Sequence, residues 1–206
     1  MTEDKFKELR DAPYNVYVAP RRFSFDLNMD MINLIRGEFD PEAAASKFAD
    51  VIKGKGKSEL EKAGEEFFSD WGENWMRNTM QLGDEYPDRT IEVTMESVDR
   101  EGNQFLLWPH VPQRYVEIAY LSTQKFLKLP VVLNNQYELA YRVPQCQLFG
   151  AIKEKCGDEV AGQMLCRYAC LRALETLRAG MELDAMISMP AATAKDKYCE
   201  FSMKKL

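Results

Sequence analysis

The sequence predicts an α+β fold, in which helices cover an antiparallel sheet. Apolar residues recur every three or four positions over 60–76 and again over 145–177, a spacing typical of amphipathic helices. Apolar and polar residues alternate over 181–187 and 197–205, as expected for half-buried strands. The chain has 206 residues, 46% of them hydrophobic, with neither an internal repeat nor a polar linker. It is therefore predicted to be a single domain spanning residues 1–206.

The N-terminal part is predicted to begin with a short charged helix over 1–11, which Pro13 ends, and a brief strand over 14–18. Asp40 and Pro41 then predict a helix start. An Asp side chain caps free backbone N–H groups, and Pro lacks only an N–H that the first turn leaves unpaired.

The next helix is predicted to be long and to end near Gly83. Its apolar residues form one stripe, which we interpret as packing against the core rather than as a cofactor site. The stripe comprises Leu60, Ala63, Phe67, Phe68, Trp71, Trp75 and Met76.

The middle of the chain favours β-structure. Residues 91–96 alternate between apolar and polar side chains, and together with 105–107 they predict a hairpin around DREGN. Two prolines in WPHVP, residues 108–112, predict a loop. Residues 114–128 favour a helix over a strand, and residues 137–143 favour a strand.

The C-terminal third is the clearest part of the pattern. Two helices are predicted, over 145–155 and 159–177, and Gly180 ends the second. Two strands, over 181–187 and 197–205, then close the sheet.

Composition and charge argue against several classes of function. The net charge is −6, whereas nucleic-acid binding needs clustered Lys and Arg. No apolar run approaches the roughly 20 residues of a membrane-spanning helix, and the charged start MTEDKFKELRD is unlike a signal peptide. Five cysteines in a chain of this size are expected to be thiols in a reducing compartment. We therefore expect a cytoplasmic protein with no nucleic-acid or membrane partner.

The common catalytic motifs are absent from the sequence: it has no GxGxxG, no Walker phosphate loop, no kinase set and no GxSxG elbow. His110 is the single histidine, so any Ser-His or Cys-His mechanism must use that ring. Its place in a proline-bounded loop makes it a candidate base, the alternative being a loop histidine that faces solvent or bonds the backbone.

The cysteines carry most of the functional signal, since all five follow residue 145. Cys166 and Cys170 are four apart on a predicted helix and share a face. Cys199 lies on the buried side of a strand, and Cys146 lies at a helix start. Cys146, Cys166 and Cys199 are expected to converge in one pocket, where they would bind a thiophilic metal such as zinc or supply a nucleophile. The alternative is that these thiols pack as small hydrophobic side chains.

The order of cysteine motifs VPQC, KCGDE, MLCRYAC and KYCEFSM resembles the L-2-amino-thiazoline-4-carboxylic acid hydrolase-like proteins. More distantly, it is similar to vinyl-reductase-type small-molecule-binding domains, which also finish on a strand with Cys followed by an aromatic residue. The resemblance covers residues 137–204 of a cysteine-bearing region, 137–206. It implies that the family's cysteine positions fall on Cys146, Cys166 and Cys199.

Three hypotheses follow. The first is a hydrolase that opens a C–N or C–S bond of a small heterocycle, with Cys166 or Cys199 as nucleophile or metal ligand and His110 as proton carrier. The second is a non-catalytic domain that binds or senses a small ligand in the same pocket. The third is a partner-binding protein without pocket chemistry. The substrate, the cofactor and the oligomeric state, a homo-oligomer included, stay open.

Overall fold

The computed structural model describes residues 25–102 and 107–206 and confirms the predicted α+β fold, with helices beside a four-stranded antiparallel sheet. The helices are α1 (Met29–Glu38), α2 (Pro41–Ile52), α3 (Lys57–Glu85), α4 (Arg89–Glu101), α5 (His110–Thr123), α6 (Gln147–Cys156), α7 (Asp158–Gly162), α8 (Arg167–Gly180) and α9 (Thr193–Asp196). The strands are β1 (Val131–Asn134), β2 (Glu138–Pro144), β3 (Ala185–Ala191) and β4 (Tyr198–Lys205). That they form one domain stays a prediction. The predictions over 1–11 and 14–18 lie outside the described residues.

The sheet has the strand order β1-β2-β4-β3, and every neighbouring pair is antiparallel. The two predicted closing strands are therefore confirmed as partners, although the first begins at Ala185 and not at residue 181. Val143 pairs with Cys199, and both side chains are buried on the inner face. The outer face carries polar pairs such as Arg142 with Glu200, whose charged atoms are 2.6 Å apart. This alternation leaves one face of the sheet for the core.

The helices of the core pack closely. α5 is the most enclosed of them, because all but two of its side chains are buried. α3 lies directly against α8, where Gly72 leaves no room for a side chain beside the backbone of Ala169. Among the described residues, no helix has both the length and the apolar content that crossing a membrane requires.

The predicted hairpin over residues 91–107 is wrong. Residues 89–101 form α4, which Asp88 caps by accepting hydrogen bonds from the backbone N–H groups of Thr90 and Ile91. Gly102 ends the helix in a left-handed conformation. The apparent strand alternation does not mark a buried face, because Val93 is exposed. Of the second predicted strand, only residue 107 is described, and it lies in a turn.

Two further predictions need correction. Residues 108–112 are not all loop, since α5 begins at His110 and has Pro112 in its first turn, where a missing N–H leaves no bond unmade. The predicted helix over 159–177 is two helices, α7 and α8. The chain turns between them at Met164, which has a left-handed φ of 55°. This break places Cys166 at the N-cap of α8.

Candidate functional site

The structure brings four cysteines together around one cavity, which we name the thiol-lined cavity. Cys146, Cys166 and Cys199 line it, as does Cys170. Sequence reasoning missed Cys170 as a member, although its one-turn spacing from Cys166 placed both on the same helix face. Whether any of the predicted three acts in catalysis stays a prediction.

Three elements carry the four thiols. Cys146 is the N-cap of α6, which begins directly after β2. Cys166 is the N-cap of α8, and Cys170 follows one turn later in the same helix. Cys199 lies on β4, with its side chain on the inner face of the sheet. The thiol of Cys199 is 3.0 Å from the hydroxyl of Thr193 in α9. The cavity therefore sits where α6, α8 and the closing strands meet.

His110 does not belong to this cavity. It is buried at the first position of α5 and is not one of the residues that line the thiols. Of the alternative, a loop histidine that faces solvent or bonds the backbone, the solvent-facing part is wrong, because the residue is only 6% exposed. The structure thus gives no support to His110 as the proton carrier for these cysteines.

Burial controls the ionisation of the thiols. It raises the pKa of Cys146 to about 11, although backbone N–H groups of Phe149 and Leu148 act in the opposite direction. Burial also raises the pKa of Cys166 and of Cys170 well above the usual thiol range. These three side chains are therefore neutral thiols at pH 7, and neutral thiols are weak nucleophiles and weak metal ligands.

Zinc does not fit the cysteine cluster. Across residues 25–102 and 107–206, no group of three His, Cys, Asp or Glu side chains is arranged to hold a metal ion. A structural zinc site needs four ligands at tetrahedral positions, with thiols as thiolates.

The rest of the wall is largely aromatic and aliphatic. Trp71 and Trp75 of the α3 stripe form part of it, and Phe201 of β4 lies on the sheet side. The sequence assigned this stripe to the core, and the structure shows that the same face also borders a cavity. Tyr120 of α5 adds a hydroxyl that is 3.4 Å from the hydroxyl of buried Tyr141.

Arg167 is the one charged residue among the described residues of the wall. Its guanidinium is already engaged by protein groups. It donates to the carbonyl of Gln163 at 2.8 Å, to the hydroxyl of Tyr168 at 3.0 Å and to the carboxylate of Glu61. No carboxylate or imidazole is present among the described lining residues. The wall therefore has thiols and rings but no base.

The cavity is small as it stands. Its volume is about 20 Å³, which is room for about one water molecule. A larger guest requires lining side chains to move. Met164 and Met189 are the adaptable members of the wall, because unbranched thioether side chains change rotamer easily.

A second buried ionisable group lies away from the thiols. Burial raises the pKa of Glu117 in α5 to about 7, and Gln113 donates a 2.7 Å hydrogen bond to its carboxylate. Asn134 of β1 in turn donates to the Gln113 side chain. Sequence reasoning missed this group, because its burial follows from the position of α5 and not from local pattern.

In comparisons with known proteins, no family model, curated protein or solved structure matches the chain.

Proposed function

We propose that this protein binds a small, largely apolar ligand in the thiol-lined cavity, without using a thiolate for chemistry. The observation that supports this most is the composition of the wall, in which four thiols and several aromatic rings enclose a space that has no base beside it. Small-molecule sites are typically lined by apolar side chains with few polar groups, and they are larger than this cavity is as it stands. Binding without reaction suits a sensor or an accessory subunit.

The protonated thiols of Cys146, Cys166 and Cys170 fit this role. A neutral cysteine behaves as a small, polarisable hydrophobic side chain, and it offers an apolar ligand dispersion contacts without a charge to desolvate. The present volume of about 20 Å³ means that a ligand displaces water and pushes aside flexible neighbours. We expect the side chains of Met164 and Met189 to change rotamer and make room for the ligand.

Binding is testable with cyclopentane as a probe. In a protein labelled with ¹³C at its methionine methyl groups, we expect cyclopentane to shift the signals of Met164 and Met189, which line the cavity. The exposed Met29 and Met186 serve as internal controls and should not respond. The measurement is a titration followed by two-dimensional NMR. Saturable shifts at the two lining methionines would support the proposal, and no shift up to the solubility of cyclopentane would overturn it.

A matched pair of variants locates the site. Cys170→Met fills the cavity and should weaken cyclopentane binding by about tenfold or more, since the probe must compete with the added side chain. Cys156→Met makes the same substitution at the end of α6, outside the lining residues, and should leave the affinity unchanged. Equal effects of the two variants would place the probe elsewhere.

Hydrolysis of a C–N or C–S bond in a small heterocycle is the second candidate. One observation favours it: Cys146 lies at the N-terminus of α6, where the backbone N–H groups of Leu148 and Phe149 favour the thiolate. Attack on a ring carbon would require that thiolate, or a water in its place, beside a seated substrate. The net rise of the Cys146 pKa is why we place this candidate second.

Alkylation separates the two candidates. A brief, substoichiometric treatment with iodoacetamide at pH 7 should modify Cys156 first, because its thiol lies outside the cavity. Burial raises the pKa of Cys156 too, but that of Cys146 reaches about 11. Peptide mass spectrometry measures the order of labelling. Preferential modification of Cys146 would contradict this expectation and favour the hydrolase.

The cellular setting is part of the same proposal. All five cysteines are unpaired, which supports a reducing compartment such as the cytoplasm. The net charge of −6 supports a small molecule over a nucleic acid as partner. A homo-oligomer stays a prediction.

A further inference from the structure

We propose that the free edge of β3 is an interaction surface for a second copy of this chain. The two β3 strands pair antiparallel about a two-fold axis at Ile187, so that two four-stranded sheets become one continuous sheet. This surface goes beyond the proposed function, because the pairing of the strands does not depend on a ligand in the thiol-lined cavity.

The backbone of β3 faces outward at the edge of the sheet. β3 is the last strand in the order, and the backbone N–H of Leu206 donates to the carbonyl of Asp184 at 3.0 Å. These two residues are therefore a hydrogen-bonded pair, and such pairs alternate with non-hydrogen-bonded ones along antiparallel strands. Ile187, opposite Met203, belongs to a non-hydrogen-bonded pair. Its N–H and C=O point away from β4, toward the free edge.

The side chains of β3 do nothing to block this edge. All seven are uncharged, although 29% of the chain is charged. On the core side of the sheet Ile187 and Met189 are only half-buried, and on the opposite side Met186 is 53% exposed. Native proteins usually place charged side chains on a free edge to prevent pairing with another strand. An uncharged edge with apolar residues on both faces is open to such pairing.

The opposite edge of the sheet is better protected. β1 has only four residues, and its pairing with β2 contains a β-bulge. Short edge strands and bulges are two ways in which native proteins prevent edge pairing. β3 has limits of its own, since Pro190 and the bulge between Ser188 and Ala191 interrupt its regular part. Pairing between copies is therefore confined to residues 185–189.

The two ends of β3 carry opposite charges. Glu182 and Asp184 precede the strand and are exposed, and Lys195 and Lys197 follow it and are exposed as well. No ion pair joins any of these four side chains to another described residue. Asp196, between the lysines, is half-buried and accepts a 2.9 Å hydrogen bond from a backbone N–H. β3 thus has an acidic first end and a basic last end.

This polarity identifies the partner and its direction. In an antiparallel pair the first end of one strand lies beside the last end of the other, so the acidic residues of each copy face the lysines of its partner. A parallel pair places like charges together, which is unfavourable. An identical strand that runs antiparallel is therefore complementary to β3 in charge and in backbone hydrogen bonds, which is why a second copy fits this edge.

Hydrogen exchange at the two sheet edges tests the pairing directly. Small interfaces are typically transient, so we expect association at roughly 100 μM and above. In ¹⁵N-labelled protein the Ile187 amide should exchange about fivefold more slowly at about 1 mM than at about 10 μM, because pairing protects it. The amide of Asn134 is the internal control. Asn135 donates to the carbonyl of Glu138, so by the same alternation the Asn134 N–H faces the free edge of β1, and its rate should not change.

Charge reversals at the two ends form a matched set of variants, each measured by sedimentation velocity. Glu182→Lys with Asp184→Lys should weaken association about tenfold, because lysines then meet at both ends of the pair. This variant brings the net charge of −6 nearer to zero, so an effect of overall charge alone would strengthen association instead. Lys195→Glu with Lys197→Glu should weaken association by a similar factor. An equimolar mixture of the two double variants should associate about as tightly as wild type, since opposite charges meet again.

Three results would overturn the proposal. The first is a protein that stays monomeric up to about 1 mM. The second is protection of the Ile187 amide that does not change with concentration, which would place another part of the same chain on this edge. The third is association that both double variants leave unchanged, which would place the contact elsewhere on the surface. None of these measurements uses a ligand, so their failure leaves the proposed function as it stands.

Discussion

Replacing Asp88 by Ala is expected to lower the free energy of unfolding by about 3–5 kcal/mol, one of the two largest effects that this structure predicts. Asp88 forms an ion pair with Arg114, and the two side chains are only 1% and 2% exposed. Removing the carboxylate leaves a guanidinium buried without its counter-charge. The hydrogen bonds of Arg114 to the carbonyls of Gly83 and Tyr86, at 3.0 and 2.8 Å, would satisfy donors but not the charge.

The same carboxylate has a second role, because it caps α4. Its other oxygen accepts from the backbone N–H groups of Thr90 at 3.0 Å and Ile91 at 3.2 Å. A cap alone is worth about 1 kcal/mol, so the buried ion pair accounts for most of the expected loss. Urea unfolding followed by tryptophan fluorescence measures the change.

Asp40→Ala provides the matched control. Asp40 caps α2 by accepting from the backbone N–H of Glu42 at 2.8 Å, and it is exposed. Its loss should lower the free energy of unfolding by about 1 kcal/mol. If Asp88→Ala were no more destabilising than Asp40→Ala, the buried pair would contribute nothing beyond its cap, contrary to this account.

α4 also shows where sequence reasoning fails and why. The alternation of Ile91, Val93 and Met95 with polar residues predicted a strand, because a two-residue repeat is typical of a half-buried strand. The local signals for a helix were nevertheless present in the cap at Asp88 and the stop at Gly102. The helix also depends on a tertiary contact, because the side chain of Arg114 in α5 binds the carboxylate of Asp88. No local pattern in the sequence reveals a partner 26 residues away.

The C-terminal third was easier to predict because its signals are local. Helix-period and strand-period patterns, together with Gly180 near a helix end, gave the closing strands and the helical setting of Cys170. The break at Met164 could not be predicted in this way, because a left-handed φ at a residue other than Gly has no reliable sequence signal. The placement of His110 away from the thiols likewise depends on how α5 crosses the core.

Replacing Gly72 by Ala is expected to destabilise the protein by about 3 kcal/mol or more. A Cβ atom at this position would overlap the carbonyl oxygen of Ala169 and lie 2.7 Å from its carbonyl carbon. Because the obstacle is backbone and not a flexible side chain, relief requires α3 and α8 to move apart. α8 carries Cys166 and Cys170, so the same movement should distort the thiol-lined cavity and weaken cyclopentane binding.

Gly150→Ala is the control for this substitution, because it makes the same chemical change where there is room. A Cβ at Gly150 meets no atom within 4 Å, and the residue lies inside α6. Alanine is the better helix former, so this variant should gain about 0.5–1 kcal/mol. Urea unfolding of both variants tests the pair. Opposite signs would support close packing of α3 on α8, and a Gly72→Ala protein as stable as wild type would show that the two helices do not approach as closely as described.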